Sequence, residues 1–193
     1  MTQVRWDGNR EARTGVPEVV YGPGKTTAHL RQIFENASEL RIASRLSDEQ
    51  MAVLADLATI HPEARMAVRN PREKRDVPLV PVITAGTADI PVALEAAVTL
   101  DAMGVPTATH FDVGVAGIHR LQSILPELAS ARVCIVAAGM DGALPAVVAG
   151  LVIGLLGALI GLAWQAHPSA TNAGLSPAPC PASAVFSTGM PPP

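Results

Sequence analysis

Three apolar runs, each closed by a small glycine-bearing loop with an aspartate and then by a helix signal, constrain this chain most. "LVPVIT" leads into "AGTAD" (85–89), "VPTATHF" into "FDVG" (111–114), and "RVCIVAA" into "AGMDG" (138–142). The runs are apolar rather than alternating, the pattern of parallel strands covered on both faces. Their ends fall near Thr84, Thr109 and Ala138, 25 and 29 residues apart, about one strand–helix unit each. Carboxyl ends of parallel strands gather at one edge of a sheet, where open α/β folds bind ligands. Glycine lets backbone N–H groups approach an anion there, and a helix start adds a favourable dipole. Asp89 is therefore placed beside a bound small molecule. It is equally placed to cap the helix predicted over 90–103, and the local pattern leaves both roles open. Asp112 and Asp141 stand in the same double position.

Helix candidates follow each run, "PVALEAAVTLDAM", "VAGIHRLQSIL" and "LPAVVAGLV". Before residue 79 the rhythm differs. Leu30, Ile33, Phe34, Ala37 and Leu40 share one face and predict a helix from Thr27 to about Ala43. A second helix fits Asp48 to Ala58, with Ser47 and Gln50 spaced as a capping box. Glu18–Tyr21 reads as a short extended piece, and the charged, proline-punctuated stretch 61–78 as a linker or outer loop.

Net charge is -3 over 193 residues, and the 12 basic residues before position 78 meet 11 acids. No positive field for nucleic acid is expected. Cys134 and Cys180 make no disulfide framework, and the polar N-terminus is no signal peptide, so a cytoplasmic setting is expected. From Gly142 to Pro193, 52 residues carry no Asp, Glu, Lys or Arg. Within them, 143–164 is uncharged for 22 residues, long enough to cross a bilayer. The first part, 143–152, fits better as the helix of the third unit; membrane association through 143–164 is the lesser reading. The Pro/Ala/Ser-rich remainder reads as disordered.

Among single residues, His119 offers an acid–base group and Arg120 a bidentate anion binder, against a plain surface-helix reading for both. His110 reads as a packed or capped imidazole. The five histidines have no metal-ligand spacing. "YGPGKTT" (21–27) fails as a phosphate loop because Val19 stands where a glycine is needed, although Lys25 could still meet a phosphate. Cys134 reads as a small buried apolar residue, and nothing activates Cys180.

The segments "VITAGTADIPVALEAAVT" (82–99), "FDVGVAGIHRL" (111–121) and "VCIVAAGMDGALPAVVAGLV" (133–152) together resemble the phosphoribosyl-aminoimidazole carboxylase (PurE-like) superfamily. With "DGNREARTGVPEVVYGPGKT" (7–26) they look like its nickel-pincer branch, the pyridinium-3,5-biscarboxylic acid mononucleotide synthases of lactate racemase maturation. The resemblance implies a flavodoxin-like three-layer α/β/α domain with a parallel sheet over 79–152, a family-specific helical region over 1–78, an atypical tail over 153–193, and a homo-oligomer. It implies carboxylation of nicotinic acid adenine dinucleotide by CO2 or bicarbonate, with release of AMP and with magnesium at the diphosphate. The metal-binding residues are not assigned. Asp89 and His119 match its catalytic positions. Gly86, Thr87, Asp112, Arg120, Gly139, Met140, Asp141 and Gly142 match substrate-binding ones, and Lys25 joins them as a substrate-binding candidate from its own local pattern. The family continues past the third unit with further strand–helix units and a nucleophilic cysteine, which the tail of this chain does not resemble. The resemblance thus implies a sheet truncated after the third unit, an out-of-frame or shortened tail, and impaired turnover. Two other readings stand beside it: the purine-pathway carboxylase or mutase, and a non-enzymatic membrane-tethered binding module.

Overall fold

A computed structural model describes residues 4–152 and 158–161. In chain order the elements are α1 (Arg10–Thr14), β1 (Val19–Tyr21), α2 (Thr27–Glu35), β2 (Arg41–Ser44), α3 (Asp48–Ala52), β3 (Thr59–His61) and β4 (Met66–Arg69). There follow β5 (Val80–Thr84), α4 (Ile90–Ala102), β6 (Thr107–His110), α5 (Ile118–Ser130), β7 (Cys134–Ala137), α6 (Ala143–Leu151) and β8 (Ala158–Gly161). They build two four-stranded sheets.

The second sheet runs β6-β5-β7-β8 with every neighbouring pair parallel. That is the strand order of the flavodoxin-like class, in which the chain reverses direction across the sheet between its first and third strands. Here those are β5 and β7. Side chains alternate as a two-residue period requires. Ile83, Cys134, Val136 and Ala138 pack under α5 and α6 with Leu121, Leu128, Leu144 and Val148. Val82 and Ala137 pack under α4 with Ala93 and Ala97. The three-layer α/β/α expectation holds.

The first sheet runs β1-β2-β4-β3, with β1 parallel to β2 and the other pairs antiparallel. One face carries α2 through Leu30, Ile33 and Phe34 against Val20, Ala43 and Ala67. The other face, Ile42, Met66 and Val68, packs on Leu94, Val98 and Ala102 of α4. This helix is thus enclosed between both sheets, which explains its nearly uncharged sequence. Its two acids turn outward, Glu95 to Arg45 at 3.6 Å and Asp101 to Lys74.

Several sequence expectations are corrected. The region 1–78 is not simply helical: it contains the first sheet. The helix from Thr27 stops at Glu35, and 41–44 is a fully buried strand. Leu40, which continues the helical stripe of α2 in sequence, instead packs beside Ile42 on the α4 side. The expected helix 48–58 keeps its capping box, Ser47 and Gln50 bonding each other's backbone N–H, but ends at Ala52. The expected linker 61–78 instead holds the turn and second strand of the hairpin β3–β4, a turn that places Arg65 at φ 52° and donates Arg65 N–H to the Pro62 carbonyl at 3.1 Å. One strand is described beyond Val152. β8 adds a fourth parallel strand, pairing Cys134 with Ala158 through Ala137 with Gly161. α6 ends at Leu151, so it does not run on through 164, and among the described residues no helix is long and apolar enough to cross a membrane. The tail beyond Gly161 lies outside the described residues.

The N-terminal segment is tied to the first sheet by charge and aromatic contact. The Arg41 guanidinium lies 3.6 Å from the Trp6 ring centroid, a cation–π stack. Glu39 accepts from Arg41 Nη1 and from Trp6 Nε1, both at 3.0 Å. These two donors, Arg41 first, hold the Glu39 carboxyl below its usual range.

Because Ala93 is fully buried between α4 and the second sheet, Ala93→Leu should overpack that layer. The expected loss is about 1–3 kcal/mol of unfolding free energy, read from urea denaturation.

Candidate functional site

The exits of β5, β6 and β7 meet at one edge of the second sheet, and one carboxylate joins two of them. Asp89 Oδ2 accepts the Gly86 N–H at 3.0 Å, within the loop that leaves β5. Its Oδ1 accepts the Gly139 N–H at 2.9 Å, in the loop that leaves β7. Asp89 makes no side-chain cap to α4. The side chain turns instead to the point where the strand order reverses, and the cap reading gives way to a bracket between loops. Its residue lies in a short 3-10 turn, Thr87–Asp89, whose first two residues are exposed.

The exit of β6 is fastened to β5 as well. Asp112 N–H donates to Thr84 Oγ1 and Val113 N–H to the Thr84 carbonyl, both at 2.9 Å. Gly114 passes so close to β5 that an added Cβ would stand 2.4 Å from the Ala85 carbonyl oxygen. Asp112 sits at φ 57°, in the left-handed region that Asp tolerates better than most residues. Its carboxylate pairs with Arg120 Nη1. Arg120 folds back over the start of α5, where Gly117 leaves the space: a Cβ there would lie 2.6 Å from Nε.

The site thus brings together Gly86, Asp89, Asp112, Arg120 and Gly139. Thr87 is on its rim. His119 is exposed on the first turn of α5, next to Arg120 in sequence. Met140 is 91% exposed in the 3-10 turn Met140–Gly142, and Gly142 takes φ 56° at the start of α6. Asp141 belongs to the same turn. His110 turns away to Glu127, Nε2 to Oε1 at 2.9 Å, and so packs β6 on α5. Lys25 lies on the first sheet instead: its N–H bonds the Gly22 carbonyl at 3.0 Å and its carbonyl accepts from Gln50 Nε2 at 2.8 Å. Thr84 and Gly117 escaped the sequence reading. The available signal for Thr84 was a hydroxyl closing an otherwise apolar run.

Among the described residues no three His, Cys, Asp or Glu side chains converge as a metal site. Asp89 has both oxygens hydrogen-bonded and Asp112 is paired, so the residues do not fit a resident magnesium ion. Cys134 is enclosed in the core, and burial first, then Glu127, pushes its thiol up to about 12. It is no activated nucleophile.

Comparison with known proteins gives one family match: residues 1–71 match the model of the LarB/PurE-like N-terminal domain, ahead of the flavodoxin-like sheet. The match falls on the part that holds the first sheet. An uncharacterized protein of Methanocaldococcus jannaschii is 42% identical over 165 residues, an alignment covering 78% of this chain. The chain spans 64% of the length of that relative.

Asp89→Asn would replace one of two acceptor oxygens by an NH2 facing an N–H. The expected cost is about 1–3 kcal/mol, measured by denaturant unfolding. Cys134 gives a pH dependence. With a folded pKa near 12 and an unfolded one near 9.0, the unfolded chain loses its proton first. Stability is then unaffected by this group below about pH 9 and falls as pH rises from there toward 12. Cys134→Ala should flatten that decline. In a Cys180→Ala background, Cys134 should react with a thiol reagent only on unfolding.

Proposed function

We propose that the chain binds a pyridine dinucleotide at the carboxyl edge of the second sheet and serves carboxylation of its ring, with nicotinic acid adenine dinucleotide, CO2 or bicarbonate, and water as reactants; water hydrolyses the phosphoanhydride, releasing AMP and leaving the carboxylated mononucleotide. The observation that carries this reading is the LarB/PurE-like N-terminal domain, joined through α4 to the sheet that bears the Asp89 bracket. That domain favours a pyridine nucleotide over a purine-pathway substrate.

The chemistry assigns roles. An electron-poor pyridinium carbon does not attack CO2 until a nucleophile has added to the ring. After the new C–C bond forms, the same carbon must lose its proton to a base, and the nucleophile then leaves. His119 is exposed and makes no side-chain hydrogen bond with another described residue, so it is the group available to take that proton. Asp89, with both oxygens engaged, acts by holding the β5 and β7 loops together around the ligand. Arg120 supplies positive charge to a phosphate or carboxylate, and Lys25 is a second cation for a phosphate, carried by the loop after β1. Met140, bare to solvent, offers an apolar contact for a ring. Magnesium, where it acts, would travel with the diphosphate of the substrate. The addition step needs a thiolate, and Cys134 cannot provide it. Turnover is therefore slow unless a thiol from outside the described residues reaches the ring. The protein works as a homo-oligomer in the cytoplasm in this reading.

The test incubates purified chain with the dinucleotide and radiolabelled bicarbonate, and follows acid-stable label and AMP. Calorimetric binding of the dinucleotide, with label incorporation reduced about 100-fold or more in His119→Ala, is the expected result. No binding of the dinucleotide, or turnover of aminoimidazole ribonucleotide instead, overturns the proposal.

A further inference from the structure

We propose that Thr84 is a positioning residue: its buried hydroxyl fixes Asp112, and through Asp112 the guanidinium of Arg120, at the ligand edge that Asp89 closes on the other side. The inference rests on the nucleotide reading of that edge.

Thr84 is completely buried at the end of an apolar strand, and few polar side chains among the described residues are so enclosed. If β5 needed only packing here, valine would fill the same space. The hydroxyl instead accepts the Asp112 N–H at 2.9 Å, while the carbonyl of the same residue accepts the Val113 N–H at 2.9 Å. Two consecutive N–H groups of the β6 exit are therefore held by one residue of β5. Asp112 needs such a hold because it stands at φ 57°, where residues other than glycine seldom rest. That backbone setting aims its carboxylate at Arg120 Nη1.

Arg120 is confined from the other side. Its Nε and Nη2 lie 2.6 and 2.7 Å from where a Cβ of Gly117 would stand, so only glycine lets the guanidinium settle there. Hydroxyl, backbone, carboxylate and guanidinium thus form one arm that runs from the carboxyl end of β5 to the start of α5. Removing the hydroxyl leaves the Asp112 N–H without its acceptor and frees the arm at its root.

Two readouts test the arm. The first is the Arg120 Nη–Hη signal in 15N NMR, assigned with Arg120→Gln. It should be sharp and slow to exchange in the wild type and in Thr84→Ser, and lost in Thr84→Val. The second is calorimetric affinity for nicotinic acid adenine dinucleotide. Thr84→Val should weaken it about tenfold, as for one lost hydrogen bond. Thr84→Ser should stay within about twofold of wild type. In an Arg120→Gln background Thr84→Val should add less than about twofold, because its effect passes through Arg120. Should the valine variant not fold, Thr84→Ala against Thr84→Ser, which differ by the hydroxyl alone, decides the same question. An unchanged Arg120 signal in a folded variant without the hydroxyl overturns the proposal, as do equal affinity losses in both backgrounds. A hydroxyl-dependent Arg120 signal in a wild-type chain that binds no dinucleotide supports the positioning role and overturns the nucleotide reading alone.

Discussion

The carboxylate of Asp89 is the interaction on which the ligand edge depends. A parallel sheet delivers its strand exits to one side, but nothing in strand pairing fixes the loops beyond them. Asp89 does so by accepting one N–H from each of two loops separated by 50 residues of sequence. It stands where the strand order turns, so the two loops it joins are those that would otherwise part to either side. Thr84 performs the complementary task for the third loop. β5, the inner strand between β6 and β7, is therefore the reference for the whole edge: each neighbouring exit is anchored to residues 84–89.

Much of the second sheet was legible in the sequence because its strands are buried on both faces and separated by full helices. Continuous apolar runs and regular spacing carry that information without ambiguity. The first sheet was far less legible. Arg41–Ser44 is four residues long, and Leu40 ahead of it falls in phase with the stripe of α2. A run so short fits a helix period as well as a strand period. Thr59–His61 and Met66–Arg69 were obscured by the charges and prolines around them, since Arg65 and Arg69 donate side-chain hydrogen bonds to the carbonyls of Leu46 and Leu57. Polar composition there marks hydrogen bonding across elements, not a linker.

The site was legible in part for a related reason. Residue type at the strand exits shows that carboxylates and glycines gather, but not which partner each finds. Asp89 satisfied the local rules for a helix cap and was used for a contact half a hundred residues away. Asp112 and Arg120 were both singled out, yet their pairing depends on a backbone angle and on a missing side chain at Gly117, neither of which has a local periodic signal. Likewise β8 was hidden in a stretch so uniformly apolar that no period marked a strand beyond Val152.

The enclosure of α4 has one more consequence. A helix wetted on neither broad flank belongs to no single half of the protein, and each half borrows the other's lining. Cutting the chain near residue 78 would strip the first sheet of its cover and leave a greasy stripe on what remains. An ancestor assembled from two independent pieces would have had to refashion this one segment for both at once, so later substitutions along it answer to two neighbours simultaneously.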